Sequence, residues 1–171
     1  SSLWPRIASM DVPFTKPMRT PSETGLIDEV LSGGKSWGGG RFTQLSQEFL
    51  KTSFGSSASI LTTSATDALE MAAVLLNIKP GDEVIVPSYT FVSTANAFVS
   101  RGAIPVFVDV NKCNQLIDPT LVEAAISEKT VAILPVHYGG NSCDMQQLNS
   151  IAKKFNLKVV EDAAQAIGAK K

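Results

Sequence analysis

Short apolar runs rich in β-branched residues recur along the chain, and most neighbouring runs are separated by a stretch with helical spacing. The runs lie at 59–62, 83–86, 105–110, 131–136 and 158–160. Between them, 65–76 sets Leu69, Ala72, Ala73 and Leu76 on one helical face, and 143–155 carries Leu148, Ile151, Ala152 and Phe155 as a stripe. A third helix is expected over 119–126, where Asp118 can cap and Pro119 takes the first helical position. Upstream, helices are expected over 23–31, closed by Gly33-Gly34, and over 43–52, closed by Gly55. Alternating strand and helix specify an α/β fold, a mostly parallel sheet with helices on both faces. The run "VAILPV" is apolar at every position, as a strand buried on two sides must be.

Charge narrows the function classes. The chain has 15 basic and 16 acidic side chains with no basic block, so nothing argues for nucleic acid or an anionic membrane. No apolar run approaches the ~20 residues of a spanning helix. Cys113 and Cys143 stand in no CxxC spacing, which suggests neither a zinc site nor a redox pair and fits a reducing cytoplasm. The opening "SSLWPRIAS" is too short and broken for a secretory signal. With Met10 as a natural start, residues 1–9 are expected to be a vector-derived leader.

Ligands of open α/β sheets sit beyond the carboxyl ends of the strands. After the first run, Ser64 and Asp67 have capping-box spacing. Small residues there leave amides that can cap an ordinary helix or hold a phosphate, with the Thr66 hydroxyl beside them. After the second run, Tyr89 and Phe91 lead into a helix, where an aromatic can pack in the core or lie on a planar ring. After the fourth comes His137, the only histidine, which can be a hydrogen-bonded buried group or a base whose partner the sequence does not identify. The glycines at 38–40 read equally as a hinge or as a place for close backbone approach to a ligand. After the fifth run comes Asp162, with Gln165 three residues on. A carboxylate at a buried strand end is costly without a partner, and no cation stands at fixed spacing. A protonated pyridine, as in pyridoxal phosphate, would be a suitable partner. No G-x-G-x-x-G follows the first run, which disfavours a dinucleotide-binding domain.

Taken in order, "TSATDALEMAA", "GDEVIVPSYTFVSTANAFVSRGAIPVFVDV", "ILPVHYGGNSCDM" and "VVEDAAQAIGA" resemble consecutive blocks of the DegT/DnrJ/EryC1/StrS sugar aminotransferases. These are fold-type I enzymes dependent on pyridoxal 5′-phosphate. The blocks "PSYTFVSTANAF" and "GGRFTQLSQEFL" look most like the dTDP-4-amino-4,6-dideoxygalactose transaminase branch.

The resemblance implies that Ala65 and Thr66 hold the cofactor phosphate, although the family often has glycine in place of Ala65. Phe91 would stack on the pyridine, Asp162 would pair with its nitrogen, and Gln165 would approach its 3′-oxygen. Gly39, Tyr89 and His137 would lie on the substrate side. No metal is implied. The family's Schiff-base lysine follows the "EDAAQ" block within a segment that these residues do not include. Lys170 and Lys171 are too near Asp162 to be that lysine, so no catalytic residue is assigned. Residues 10–171 are therefore expected to be the N-terminal part of a truncated cofactor-binding large domain, inactive alone. The implied activity is transfer of an amino group, from glutamate, to a 4-keto-6-deoxy sugar nucleotide in polysaccharide or lipopolysaccharide biosynthesis. The alternatives are the family's 3-dehydratase branch, or a catalytically dead binding or structural module. Unpaired sheet edges lead to the expectation of a homodimer.

Overall fold

The computed structural model describes residues 16–34 and 37–169. The expected leader at 1–9, Met10, Lys170 and Lys171 lie outside them. The chain divides into two compact units, Ser1–Ser59 and Ile60–Lys171.

In the first unit lie α1 (Glu23–Ser32) and α2 (Arg41–Phe54). The Arg41 guanidinium pairs with Glu29, and α2 stops at Gly55, whose left-handed backbone sends its N–H to the Lys51 carbonyl. Neither helix contains a buried residue.

The second unit runs α3 (Ala65–Leu75), β1 (Glu83–Pro87), α4 (Val92–Val99), β2 (Ile104–Val108), α5 (Pro119–Ala124), β3 (Thr130–Ile133), α6 (Met145–Phe155) and β4 (Lys158–Val159). The four strands are parallel, in the order β2-β1-β3-β4. Strand pleating sends alternate side chains to opposite faces, and the core divides accordingly. Val84, Val86, Ala132 and Leu134 pack with Leu69 and Ala73 of α3 and Phe98 of α4. Ile85, Val108 and Ile133 pack with Val122 of α5 and Leu148, Ile151 and Ala152 of α6. The expected α/β sandwich, apolar on both sheet faces, is thus present.

From β1 the chain steps outward to β2, then returns past β1 to β3 and β4. Right-handed crossovers put the helices of opposite steps on opposite faces, which is why α4 and the α5–α6 pair part company. The reversal opens a crevice at the carboxyl ends of β1 and β3. Because α3 packs on α4 and leads into the start of β1, its N-terminus stands at that same carboxyl edge.

Sequence expectation and structure differ at two of the expected strands. Residues 59–62 form no strand. Their composition favours extended backbone, but a strand needs a ladder, and among the described residues neither sheet edge supplies one. Ile60 and Leu61 are exposed, and the Thr62 hydroxyl instead bonds the Ser64 carbonyl ahead of α3. The run at 131–136 also ends early as a strand, at Ile133. Pro135 has no N–H for the ladder, and Val136 continues only as an isolated bridge to Asp162.

Candidate functional site

Asp162 leaves β4 at the crevice and is 8% exposed. Its backbone is held on both sides: its N–H donates to the Pro135 carbonyl at 2.9 Å, and its carbonyl accepts from the His137 N–H at 3.0 Å. The Thr94 hydroxyl donates to its Oδ2 at 2.6 Å, and the Ala164 N–H donates to its Oδ1 at 3.2 Å. Among the described residues no cation pairs with this carboxylate. A buried carboxylate without a counter-charge is uncommon, because burial penalises the charge.

His137 and Glu161 form a clasp behind it. The Cys143 N–H donates to His137 Nδ1 at 3.1 Å, so Nδ1 carries no proton. Nε2 then holds the hydrogen and donates to Glu161 Oε2 at 2.8 Å. Both ring nitrogens are occupied, and the buried imidazole joins the ends of β3 and β4. The sequence shows His137 and Glu161 but not that they meet.

Gln165 is exposed, yet its amide orientation is set. The Gly139 N–H donates at 2.9 Å and must meet the side-chain oxygen, which leaves the Gln165 amino group as the donor end of the amide. Gly140 sits at φ +82°, and a Cβ there would lie 3.2 Å from the Gln165 carbonyl oxygen, so the turn Tyr138–Gly140 can press against this loop only as glycine. Tyr138 also meets Tyr89, with ring centroids 4.3 Å apart and planes tilted by 39°. A hydrogen bond with Tyr138 pushes the Tyr89 phenol above its ordinary value.

Phe91 caps α4, and the residue is 69% exposed rather than in the core. Beyond it, Val92 and Ser93 open the helix, and then comes Thr94, the group that touches Asp162. At α3, Ser64 Oγ accepts from the Asp67 N–H at 3.1 Å, as the capping-box spacing predicts. The Asp67 carboxylate accepts from the Thr63 and Ser64 hydroxyls, which hold it below the ordinary carboxylate range. Ala65 and Thr66 fill the first two helical positions, where amides have no intrahelical carbonyl to bond.

Hydrogen bonds and a ring contact therefore link Thr94 to Asp162, Asp162 to His137, Gln165 to Gly139 and Tyr89 to Tyr138, while Phe91 stands three residues before Thr94 and the Ala65–Thr66 turn lies on the same edge of the sheet. Gly39 belongs to the first unit, where its carbonyl accepts from Gln44 Nε2 at 3.3 Å. A cavity of about 330 Å³ in that unit is lined by Glu29, Trp37, Arg41 and Phe42 among others. Sequence reading did not single out Thr90, Thr94 or Tyr138. The available signal for the threonines was their spacing of four in "TFVST", which sets two hydroxyls on one side of a helix start.

The family model described as the DegT/DnrJ/EryC1/StrS aminotransferase family matches residues 18–171. The chain belongs to this family. Among solved DegT/DnrJ/EryC1/StrS-like structures, DesV of S. venezuelae, in complex with a ketimine intermediate, is 38% identical with a TM-score of 0.82 over 85% of this chain and 39% of its own. The ntda protein of Bacillus subtilis, with bound cofactor PMP, is 40% identical with a TM-score of 0.81 over 85% of this chain and 33% of its own. An aminotransferase from Psychrobacter cryohalolentis is 35% identical with a TM-score of 0.87 over 92% of this chain and 40% of its own. The chain thus spans between a third and two fifths of the length of these relatives. Among the described residues of this DegT/DnrJ/EryC1/StrS member, no cluster of side chains could hold a metal and no helix is long and apolar enough to cross a membrane.

Proposed function

We propose that the chain is the part of a nucleotide-sugar aminotransferase that grips pyridoxal 5′-phosphate. The observation that carries this reading is Asp162, a buried carboxylate without a counter-charge at the carboxyl edge of a parallel sheet. A cationic ring nitrogen supplies the missing charge and matches the donor set around it. When bound, this cofactor supplies an electron sink for bonds at an amine-bearing carbon.

Each residue of the chain then has a task. Asp162 holds the ring nitrogen in its protonated form. Phe91, with its ring exposed, offers a flat apolar face to the pyridine. Gln165, whose side-chain oxygen is taken by the Gly139 N–H, donates from its amino group to the 3′-oxygen. The amides of Ala65 and Thr66, at the positive end of α3, take the phosphate. His137 keeps Asp162 in register through its backbone N–H and its link to Glu161. Tyr89 and Gly39 remain substrate-side candidates. The amino donor is glutamate, the acceptor a 4-keto-6-deoxy sugar nucleotide, and the working unit a cytoplasmic homodimer.

The test is a fluorescence titration with pyridoxamine 5′-phosphate, which cannot react with surface lysines. Saturable binding is expected, weakened by about a hundredfold to a few thousandfold in Asp162→Asn, since removing one partner of a buried charge pair costs about 3–5 kcal/mol. Equal binding by the two proteins overturns the reading. Amine transfer is read on the complete gene product as 2-oxoglutarate formed from glutamate when a 4-keto-6-deoxy sugar nucleotide is added.

A further inference from the structure

The Asp162 carboxylate is held by a chain of hydroxyls that nothing in the proposed chemistry requires. Thr94 is 0% exposed, in the first turn of α4 beside Ala95 and Phe98 of the core. A valine would fill the same volume. A helical threonine can also satisfy itself on the carbonyl one turn back. Thr94 does neither. Its hydroxyl reaches Asp162, 68 residues away in sequence, at 2.6 Å, within the short range of a charge-assisted bond.

The direction of the chain follows from counting protons. A hydroxyl has one hydrogen, and that of Thr94 is committed to the carboxylate. The 2.8 Å contact between the Thr90 and Thr94 hydroxyls must then run from Thr90 as donor to Thr94 as acceptor. Thr90 is half-buried in the bend between β1 and α4, so the relay runs from that loop to the buried acid. Each bond polarises the next, which strengthens the terminal one. The β-branch of Thr94 restricts its χ1 and fixes where the hydroxyl points. With Oδ2 held from α4 and Oδ1 from the Ala164 N–H, the plane of the carboxylate is set by two different elements. Each oxygen keeps lone-pair capacity for one more donor.

We propose that Thr94, supported by Thr90, is a positioning residue that aims the Asp162 carboxylate at the ring nitrogen of the bound cofactor; this rests on the pyridoxal phosphate reading above. The relay couples the loop after β1, which also carries Phe91, to the acid after β4. The two groups that contact the ring are thereby set relative to each other by one hydroxyl.

The test uses pyridoxamine 5′-phosphate with four variants. Thr94→Val is expected to bind about tenfold more weakly, the loss typical of one hydrogen bond to a charged group. The bound ligand should also show a smaller fraction of ring-protonated absorption. Thr94→Ser keeps the hydroxyl and should restore both readouts to within about twofold, which a purely packing role would not do. Thr90→Val, which leaves the Asp162 contact in place, should weaken binding about threefold. Asp162→Asn is the reference. Far-UV circular dichroism checks folding, and if Thr94→Val does not fold, the Thr90→Val and Thr94→Ser comparison decides. The positioning role is overturned if the valine variants match the unsubstituted chain while Asp162→Asn is weakened, and the cofactor reading then stands. If Asp162→Asn binds as the unsubstituted chain does, or if neither binds, the cofactor reading itself fails and the positioning role with it.

Discussion

Asp67 accepts two hydroxyl bonds at the mouth of α3, from Thr63 and from Ser64, and they hold its folded value below the ordinary 3.8. A depressed carboxyl contributes stability that is present above the unfolded value and is lost as pH falls through the folded one. Unfolding by urea at a series of pH values should therefore show the unsubstituted chain losing its advantage over Asp67→Asn below about pH 4. The side chain is half-buried and reaches solvent, so added salt should shrink the effect. A constant difference between the two proteins down to strong acid would show that the hydroxyl bonds do not matter in solution. At this scale the sequence was legible wherever a role depends on neighbours in the chain. The cap at Ser64 and the proline start at Pro119 are local, and spacing reveals them. The partners of Asp162, His137 and Gln165 are Thr94, Glu161 and Gly139, which only the folded sheet brings near. No spacing rule connects residues that far apart.

Among the elements, the α4–β2 corner is the one with least room. Gly102 adopts φ +90°, and a Cβ there would lie 2.9 Å from Pro80 Cα and Cγ. The Gly102 carbonyl also accepts from the Gly81 N–H at 3.0 Å, so the corner and the turn before β1 hold each other. Gly102→Ala should destabilise the chain by about 2–4 kcal/mol through backbone strain and steric overlap together. A urea midpoint within experimental error of the unsubstituted chain would contradict this. Helices and central strands were readable because their period survives packing: Leu148, Ile151 and Ala152 are buried as the stripe requires. Residues 59–62 were misread because apolar, extended composition is necessary for a strand without being sufficient. Pairing is a property of the neighbour, and sequence alone does not identify the neighbour.

On the scale of the second unit, the sheet separates two cores that, among the described residues, share no side chain. Phe98 belongs to one and Leu148 to the other, and both are fully buried. Phe98→Ala should cost about 3–5 kcal/mol and Leu148→Ala about 2–5 kcal/mol. Their sum should describe the double variant to within about 0.5 kcal/mol, because sites without shared partners act independently. A stabilised background would be needed to measure the double variant, given typical domain stabilities of about 5–15 kcal/mol. A coupling above about 1 kcal/mol would mean that the strands transmit strain between the faces. The fold class was legible at this scale from alternation alone, since a run that is apolar throughout demands cover on both sides.

The bond between Thr94 and Asp162 spans five later elements: β2, α5, β3, α6 and β4. During synthesis the hydroxyl leaves the ribosome long before the acid it serves, and the intervening strands must dock in turn. In the proposed reading the cofactor grip draws on residues from α3 to the segment after β4, so a nascent chain has no finished binding place while its sheet is half built.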